Sequence, residues 1–179
     1  TTMDTYLTDG TLKQAVADGY VLVERTTESG ARLGIVGLID LDDYDFDPKK
    51  KTLIRATEGT VISRIPPRVK IRENAAIELP HVMLLVDDPI DRQKIDGCQG
   101  ATQEDAVNIA AVKHGIIEYV YAIRDTLRKL YDTELMQGGG HIRGYAVGGG
   151  AAKQVTEAFA AKQNSCGGFL FAVGDGNHS

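Results

Sequence analysis

Alternating apolar and polar residues at the front of the chain indicate β-structure. The runs "YVLVERT" and "SGARLGIVGLIDL" are separated by a Glu-Ser-Gly turn, a pattern that predicts a β-hairpin. The polar segment "DLDDYDFDPKKK" that follows predicts a loop. Farther along, Pro66 and Pro67 predict that one short helix ends and another begins, because proline fits the first turn of a helix but not its interior.

The back half combines strand and helix patterns. Val82 to Val86 is an unbroken apolar run and predicts a buried strand. Apolar residues from Thr102 to Leu130 recur mainly every three, four or seven positions, which predicts an amphipathic helix with a break near Gly115. "HIRGYAV" predicts a strand, "AAKQVTEAFAAK" a helix, and Phe169 to Val173 a last strand.

These elements place the chain in the α/β class, in its mixed α+β form. We expect an N-terminal β-hairpin region followed by a mixed sheet with flanking helices. A chain of 179 residues is long enough for a buried core, so a single domain over 1–179 is expected, with 1–90 and 91–179 as candidate sub-regions. The chain opens on "TTMDTYLTDG" without an initiator methionine, which predicts a fragment of a longer protein.

The charge balance narrows the class of partner. A net charge of −5 and a pI of about 5.3 lack the basic excess typical of nucleic-acid-binding proteins, so no nucleic-acid partner is expected. No apolar run approaches the roughly 18 to 20 residues that span a bilayer, and the first residues carry no secretory signal. We therefore expect a cytoplasmic protein without a membrane partner, and the sequence leaves its oligomeric state open.

Two glycine-rich segments have both a structural and a functional interpretation. "QGGGHIRGY" fails the dinucleotide and P-loop patterns, yet its backbone N–H groups, with His141 and Arg143, could face an anion. The alternative is a glycine-rich turn that enters a strand. "VGGGAAK" begins a helix with Lys153 in its first turn, where a phosphate could bind, but its composition favours a flexible connector.

The segment "VGDGNHS" is the strongest candidate for chemistry. A strand followed by a tight glycine turn directs backbone N–H groups outward, and Asp175 and His178 can hold protons or a metal beside them. The alternative is that both residues only form the turn. The basic cluster "RIPPRVKIRE" places Arg68 and Arg72 on one helix face, either as a solvated face or as a patch for phosphates and carboxylates. "RATEGT", with Arg55 and Glu58, is a plausible neighbour.

Four segments resemble the bacterial and archaeal DUF1015 family, an uncharacterised domain of unknown function. They are "VGLIDLDDYD", "IRATEGTVISRIPPRVKIRENA", "LYDTELMQGGGHIRGY" and "FAVGDGNHS". The resemblance covers most of the chain and is poorest over residues 90 to 128. The signature of that family is a D-G-H-H-R-like loop followed by a helix; the loop is matched here from Asp175 to Ser179, with Asn177 and Ser179 departing from the commonest form. Family members also tend to be encoded beside serine-biosynthesis genes.

The same loop is similar to that of the ParB/sulfiredoxin superfamily, whose members bind the phosphates of a nucleotide there. The resemblance implies a ParB/sulfiredoxin-like back half. Sulfiredoxin chemistry needs a cysteine where this chain has Asn177, so peroxiredoxin repair is disfavoured. ParB-type DNA partition would require a basic DNA-reading helix, which the acidic balance argues against. The loop of the free-serine kinases is the nearest form.

The resemblance therefore implies a nucleotide-dependent phosphotransferase or phosphatase acting on a small hydroxy-amino acid such as serine or phosphoserine. The nucleotide would be ATP, ADP or CTP, with Mg²⁺. The implied catalytic residues are Asp175, His178 and Glu58; the implied cofactor-binding residues are Gly174, Gly176, Asn177, Ser179, His141 and Arg143; and the implied substrate-binding residues are Arg55, Arg68 and Arg72. Two alternatives stay open: a nucleotide-binding regulatory module without turnover, and a structural domain only.

Overall fold

The structure is a computed structural model that describes residues 1–47, 49–78, 82–88, 115–176 and 178. In chain order the elements are helix α1 (Thr2–Thr8), strands β1 (Tyr20–Thr27), β2 (Gly30–Val36), β3 (Tyr44–Asp45) and β4 (Ile54–Ala56), helix α2 (Ile65–Arg72), strand β5 (Met83–Val86), helix α3 (Ile116–Ala122), strands β6 (Arg128–Glu134) and β7 (His141–Val147), helix α4 (Gly149–Ser165) and strand β8 (Phe171–Asp175). Helices and strands are interspersed, which confirms the mixed α+β class.

The chain forms two compact units that alternate along the sequence. Unit 1 comprises Thr1–Gln14, Ile39–Asp87 and Ser165–Ser179. Unit 2 comprises Ala15–Leu38 and Asp88–Asn164. The prediction of a single domain over 1–179 stays a prediction.

Unit 2 is built on an antiparallel sheet with the strand order β2-β1-β7-β6. The predicted hairpin is confirmed: Thr27 pairs with Gly30 across a tight turn, and Val21 pairs with Val36 at the far end. Gly30 has a φ of 117°, which a residue with a side chain rarely adopts. The hairpin does not stand alone, because β1 also pairs along its length with β7.

The core of unit 2 lies between one face of this sheet and helices α3 and α4. Its buried cluster consists of Leu22, Ile116, Tyr119, Val120, Ile123, Tyr145, Val147, Ala151, Val155 and Ala158. The start of α3 is capped by Asp88, whose two carboxylate oxygens accept hydrogen bonds from the backbone N–H groups of Ile116 and Ile117, at 2.8 and 2.9 Å. The cap satisfies donors that a helix start leaves unpaired.

The helix predicted from Thr102 to Leu130 is wrong at its C-terminal end. Residues 102 to 114 lie outside the described residues, and α3 ends at Ala122. A 3₁₀ turn follows at Arg124–Thr126, in which the hydroxyl of Thr126 donates to the carbonyl oxygen of Ile123 at 2.8 Å. Side-chain bonds of this kind compete with the helical backbone ladder. Leu130 therefore belongs to the strand β6, which the sequence analysis did not predict.

Unit 1 contains a mixed sheet with the order β3-β4-β8-β5, in which β5 alone is antiparallel to its neighbour. The prediction of a buried strand at Val82 to Val86 is half wrong. A strand forms at Met83–Val86, but Met83 and Leu85 are 49% and 54% exposed. Met83 and Leu85 alternate with the less exposed Leu84 and Val86, so one face of the strand is open and a continuous apolar run does not imply burial on both faces.

The short helices predicted around Pro66 and Pro67 are confirmed. A 3₁₀ turn at Ile62–Arg64 leads directly into α2, and both prolines lie in the first turn of that helix. No residue of α2 is buried. Among the helices in the described part of the chain, none combines the length and the apolar character needed to cross a membrane.

Candidate functional site

The candidate site of unit 1 begins where two parallel strands end side by side. Strand β4 pairs with β8 so that Ile54 faces Phe171 and Ala56 faces Val173. The carboxyl ends of neighbouring parallel strands meet at one edge of a sheet, where α/β proteins commonly bind ligands. We call the residues at this edge the loop site: Thr57, Glu58, Thr60, Val61, Asp175, Gly176 and His178.

Hydrogen bonds hold the two loops of this site together. The hydroxyl of Thr57 donates to the backbone oxygen of Val173 at 2.5 Å. The backbone N–H of Val61 donates to Nε2 of His178 at 2.9 Å. Because Nε2 accepts this bond, the proton of the neutral imidazole is on Nδ1, which faces Oε1 of Glu58 at 3.7 Å. The His178 side chain is only 8% exposed, so it joins the loop after β4 to the loop after β8.

The end of β8 lies two residues later than the sequence analysis predicted. The strand runs from Phe171 to Asp175, so Gly174 and Asp175 belong to it rather than to the loop. Leu84 pairs with Val173 but Met83 pairs with Asp175, which leaves Gly174 as the extra residue of a β-bulge. A Cβ on Gly174 would lie 3.0 Å from Leu85 Cγ. Bulges change the direction of the residues after them and occur often beside functional sites.

Asp175 ends β8 and is exposed, and Gly176, which follows it, is half-buried. One oxygen of the Asp175 carboxylate accepts a hydrogen bond from the backbone N–H of Gly176 at 2.7 Å. Gly176 has a φ of 93°, so the chain turns here in a conformation that favours glycine. The predicted cofactor-binding residues Asn177 and Ser179 lie outside the described residues.

Thr60 is the residue that the sequence analysis missed. Its hydroxyl oxygen is buried and has no hydrogen-bond partner within the described residues. Buried polar atoms in proteins are nearly always paired, so this hydroxyl is an unsatisfied polar group at the loop site. A signal was present in the sequence, because "RATEGT", the segment that pointed to Arg55 and Glu58, ends on Thr60.

The three predicted substrate-binding arginines also lie in unit 1, in different surroundings. The Arg55 guanidinium stacks over the ring of Phe169 at 4.5 Å from its centroid, and its Nε donates to the oxygen of Thr52 at 3.4 Å. Arg72 lies 3.8 Å from the carboxylate of Glu78. Arg68 is exposed on α2. Stacking commits Arg55 to the scaffold, whereas Arg68 stands on a solvent-exposed helix.

The predicted cofactor-binding residues His141 and Arg143 belong to unit 2. Nδ1 of His141 lies 2.7 Å from Glu134 Oε1, and Nε2 lies 2.5 Å from Asp132 Oδ1. Arg143 donates to Asp132 at 3.3 Å and to Glu24 at 3.4 Å. Both cations are therefore already compensated by carboxylates on neighbouring strands, so they do not present an open anion site.

The charges of this network follow from the contacts. Hydrogen bonds to Glu134 and Asp132 raise the pKa of His141. Hydrogen bonds from Lys129 and His141 hold the pKa of Asp132 far below its usual range. Both ring nitrogens of His141 face carboxylate oxygens, and only the imidazolium can donate from both. The network favours a charged His141.

The glycine run "VGGGAAK" forms an ordered junction between β7 and α4 in unit 2. The backbone is tightly packed beside it, since a Cβ on Gly19 would lie 2.1 Å from the oxygen of Val147. A hollow of about 470 Å³ adjoins the helix start and includes Lys153 in its lining. Lys153 is 78% exposed and lies 3.8 Å from Glu157 on the same helix. The glycine run is a direct strand-to-helix connection, and its flexibility stays a prediction.

The described residues contain no group of three or more His, Cys, Asp or Glu side chains that could hold a metal ion.

Comparison with known proteins identifies a family of unknown function. No curated protein matches the chain, and no solved structure matches it. The family described as a protein of unknown function, DUF1015, matches residues 1–179. The chain belongs to the DUF1015 family.

Proposed function

We propose that the loop site binds the phosphates of a nucleotide and supports phosphoryl transfer to or from a small hydroxy-amino acid such as serine or phosphoserine. The observation that carries the proposal is the buried Thr60 hydroxyl without a partner among the described residues. It lies in a loop that His178 ties to the end of β8. A phosphate oxygen is an acceptor that would satisfy this donor.

The loop site supplies what phosphoryl transfer asks of a protein, which is positioning and charge stabilisation. The His178 contact fixes the distance between the two loops, so a ligand would meet a preorganised edge. Asp175 follows the bulge at Gly174 at the end of β8, and the Asp175 side chain is exposed. Asp175 is the proposed base, and His178 is the group that positions the loops.

Magnesium fits this site as a partner of the phosphates rather than as a resident ion. Mg²⁺ is usually held by one or two carboxylates together with substrate phosphates. Asp175 is exposed, and the Glu58 side chain is 62% exposed, so both carboxylates are accessible. When bound, the ion would offset the charge of the phosphates.

The arginines of α2 are the proposed substrate contacts. The helix follows Val61 after a single 3₁₀ turn, so the loop site continues directly into the segment that carries Arg68 and Arg72. A guanidinium binds a carboxylate or a phosphate through two parallel hydrogen bonds. Arg68 and Arg72 are four residues apart and share one face of the helix.

A regulatory module that binds a nucleotide without turnover is the second candidate. The observation that favours it is that the two groups named for chemistry already bond within the site. Nε2 of His178 accepts from Val61, and Asp175 accepts from Gly176. In such a module the same bonds would change on nucleotide binding and alter an interaction with another molecule.

The substitution Asp175→Asn separates the two candidates. In an enzyme it leaves nucleotide affinity nearly unchanged and abolishes turnover, because the amide cannot accept the substrate proton. In a binding module it changes affinity alone, since there is no turnover to lose. Asp125→Asn, which removes a carboxylate that is 55% exposed in unit 2, is the matched control and should change neither quantity.

A thermal-shift screen with ATP, ADP, CTP and phosphoserine, each with and without Mg²⁺, tests both candidates together. A ligand at 100 times its dissociation constant adds about 2.7 kcal/mol to the free energy of unfolding. For a protein of 179 residues this corresponds to a rise in melting temperature of roughly 5 to 11 °C. Absence of a shift with every nucleotide contradicts both candidates and leaves the structural domain.

A further inference from the structure

Two exposed surfaces of unit 1 have opposite charge and both carry large apolar side chains. The acidic patch consists of Asp40, Leu41, Asp42, Asp43 and Phe46, around the 3₁₀ turn Leu41–Asp43. The basic patch consists of Ile62, Arg64, Lys70 and Ile71, along the 3₁₀ turn Ile62–Arg64 and α2. All nine side chains are exposed.

The apolar side chains of both patches are unusually accessible. Leu41 and Phe46 are 76% and 67% exposed in the acidic patch. Ile62 and Ile71 are 77% and 78% exposed in the basic patch. A single exposed apolar residue is ordinary, but grouped ones ringed by charges are typical of protein-interaction surfaces.

A local hydrogen bond and two prolines fix the backbone that carries these exposed side chains. The acidic turn is held by Asp40, whose carboxylate accepts from the backbone N–H of Asp42 at 3.0 Å. The basic helix is fixed at its start by Pro66 and Pro67, and no residue of it is buried. Both patches are thus presented on ordered turns.

Charge complementarity identifies the occupant of each patch. The acidic patch carries three aspartates, and the basic patch carries one arginine and one lysine. Because both patches are exposed on the same chain, each offers what the other lacks to a neighbouring copy. We infer that the protein self-associates as a dimer, in which the acidic patch of each copy docks on the basic patch of the other.

A twofold dimer forms this contact twice, which closes the assembly and prevents growth into a filament. Opposite charges fix the register and favour encounter at low salt. The exposed Leu41, Phe46, Ile62 and Ile71 supply the apolar area that is removed from water. This dimer is independent of the proposed loop-site chemistry.

Sedimentation velocity measures the association directly. We expect the protein to pass from monomer to dimer between about 1 μM and about 1 mM, the range of weak to moderate affinities. The dimer fraction should fall as the salt concentration rises, because exposed charges are screened. A chain that stays monomeric across this range at low salt overturns the inference.

Charge reversal tests whether these two patches form the contact. The variant Arg64→Glu with Lys70→Glu makes the basic patch acidic, and the variant Asp42→Lys with Asp43→Lys makes the acidic patch basic. Each variant alone should be monomeric, because like charges then face each other in both contacts. A mixture of the two should recover dimers made of one copy of each variant, since both contacts are again complementary.

Controls separate this contact from general charge effects and from misfolding. Lys13→Glu and Glu28→Lys reverse exposed charges outside the patches and should leave the dimer unchanged. Far-UV circular dichroism checks that each variant is folded, and recovery in the mixture shows the same. Dimers that persist in both variants, a mixture that stays monomeric, or a monomer that binds anionic lipid vesicles through α2 each overturn the inference.

Discussion

The two units of this protein differ in how they use apolar residues. Unit 2 buries ten residues in one cluster between a sheet and two helices. In unit 1 the buried apolar residues of the described chain are Ile54, Leu170 and Val173. Helix α2 buries none of its residues, and the edge strand β5 leaves Met83 and Leu85 half exposed. Most of the buried apolar side chains that stabilise the described part of the protein are therefore in unit 2. Unit 1 leaves more of its apolar side chains exposed.

This difference explains where the candidate chemistry lies. Unit 1 gathers the parallel strands β3, β4 and β8 from distant parts of the chain, so that strand ends and their loops meet at one edge. In unit 2 the charged residues on the strands form ion pairs: His141 pairs with Asp132 and Glu134, and Arg143 pairs with Asp132. Binding surfaces need side chains that are accessible, and such regions belong to the less stable part of a structure.

The largest expected effect is on the core of unit 2. Leu22→Ala removes a fully buried side chain and should lower the free energy of unfolding by about 2 to 5 kcal/mol. Leu85→Ala makes the same chemical change on β5, where the side chain is 54% exposed, and should cost less than about 1 kcal/mol. Urea unfolding followed by circular dichroism measures both. Equal losses would contradict the division between a buried unit and an exposed one.

Two glycines with positive φ allow the backbone packing of the two units to be compared. Gly140 in unit 2 has a φ of 82°, and a Cβ there would lie 2.0 Å from the backbone oxygen of Thr26. Gly176 in unit 1 has a φ of 93°, but the nearest atom to its Cβ is Val82 Cγ2 at 3.2 Å. Gly140→Ala should therefore cost about 3 kcal/mol and Gly176→Ala about 1 to 2 kcal/mol.

Gly34→Ala is the control for that comparison. Nothing lies within 4 Å of a Cβ on Gly34, and its φ is not in the positive range. The Gly34→Ala substitution should change the free energy of unfolding of the protein by less than about 1 kcal/mol. A loss at Gly176 as large as that at Gly140 would show that unit 1 is as rigidly packed as unit 2. All three values come from the same urea unfolding series.

The contact between the two loops of unit 1 predicts a smaller, local effect. His178→Ala removes the acceptor of the Val61 backbone N–H and should cost about 1 kcal/mol. Hydrogen exchange at Val61 should then accelerate roughly fivefold. Glu58→Gln is the matched control, because the Glu58 contact is 3.7 Å long and mostly exposed and should leave Val61 protection unchanged. Unchanged exchange in His178→Ala would remove His178 as the group that holds the loops.

Patterns along the chain predicted the elements whose periodicity is uninterrupted and bounded by turn residues. The hairpin β1–β2, the strand β7 and the helix α4 all followed from periodicity and turn residues. The strand β6 was missed because Leu127, just before it, and Leu130, within it, continue the helical spacing of α3. The turn at Arg124–Thr126, held by side-chain bonds to helix carbonyls, interrupts that spacing. A periodicity count contains no information about such bonds.

The structure brings together several residues that the sequence analysis singled out, in surroundings that it did not predict. Glu58, Asp175 and His178 were singled out from separate segments, and the pairing of β4 with β8 brings these segments together in unit 1. The sequence did not show that Nε2 of His178 is occupied by Val61, or that the hydroxyl of Thr60 is buried without a partner in the described chain. Both depend on the parallel pairing of strands more than 100 residues apart, which a local pattern does not specify.

The smallest expected effect is the pH dependence of unit 2. The pKa of folded His141 is raised above its unfolded value of about 6.5. The contribution of His141 to the free energy of unfolding is therefore complete below that pH. It is lost as the pH rises through the folded pKa. The pKa of Asp132 is lowered and that of Lys129 is raised, so both keep their charge between about pH 6 and pH 9. His141→Gln should therefore reduce the fall in melting temperature across this range. A variant whose melting temperature falls across this range as much as that of the parent would show that His141 is not the group responsible.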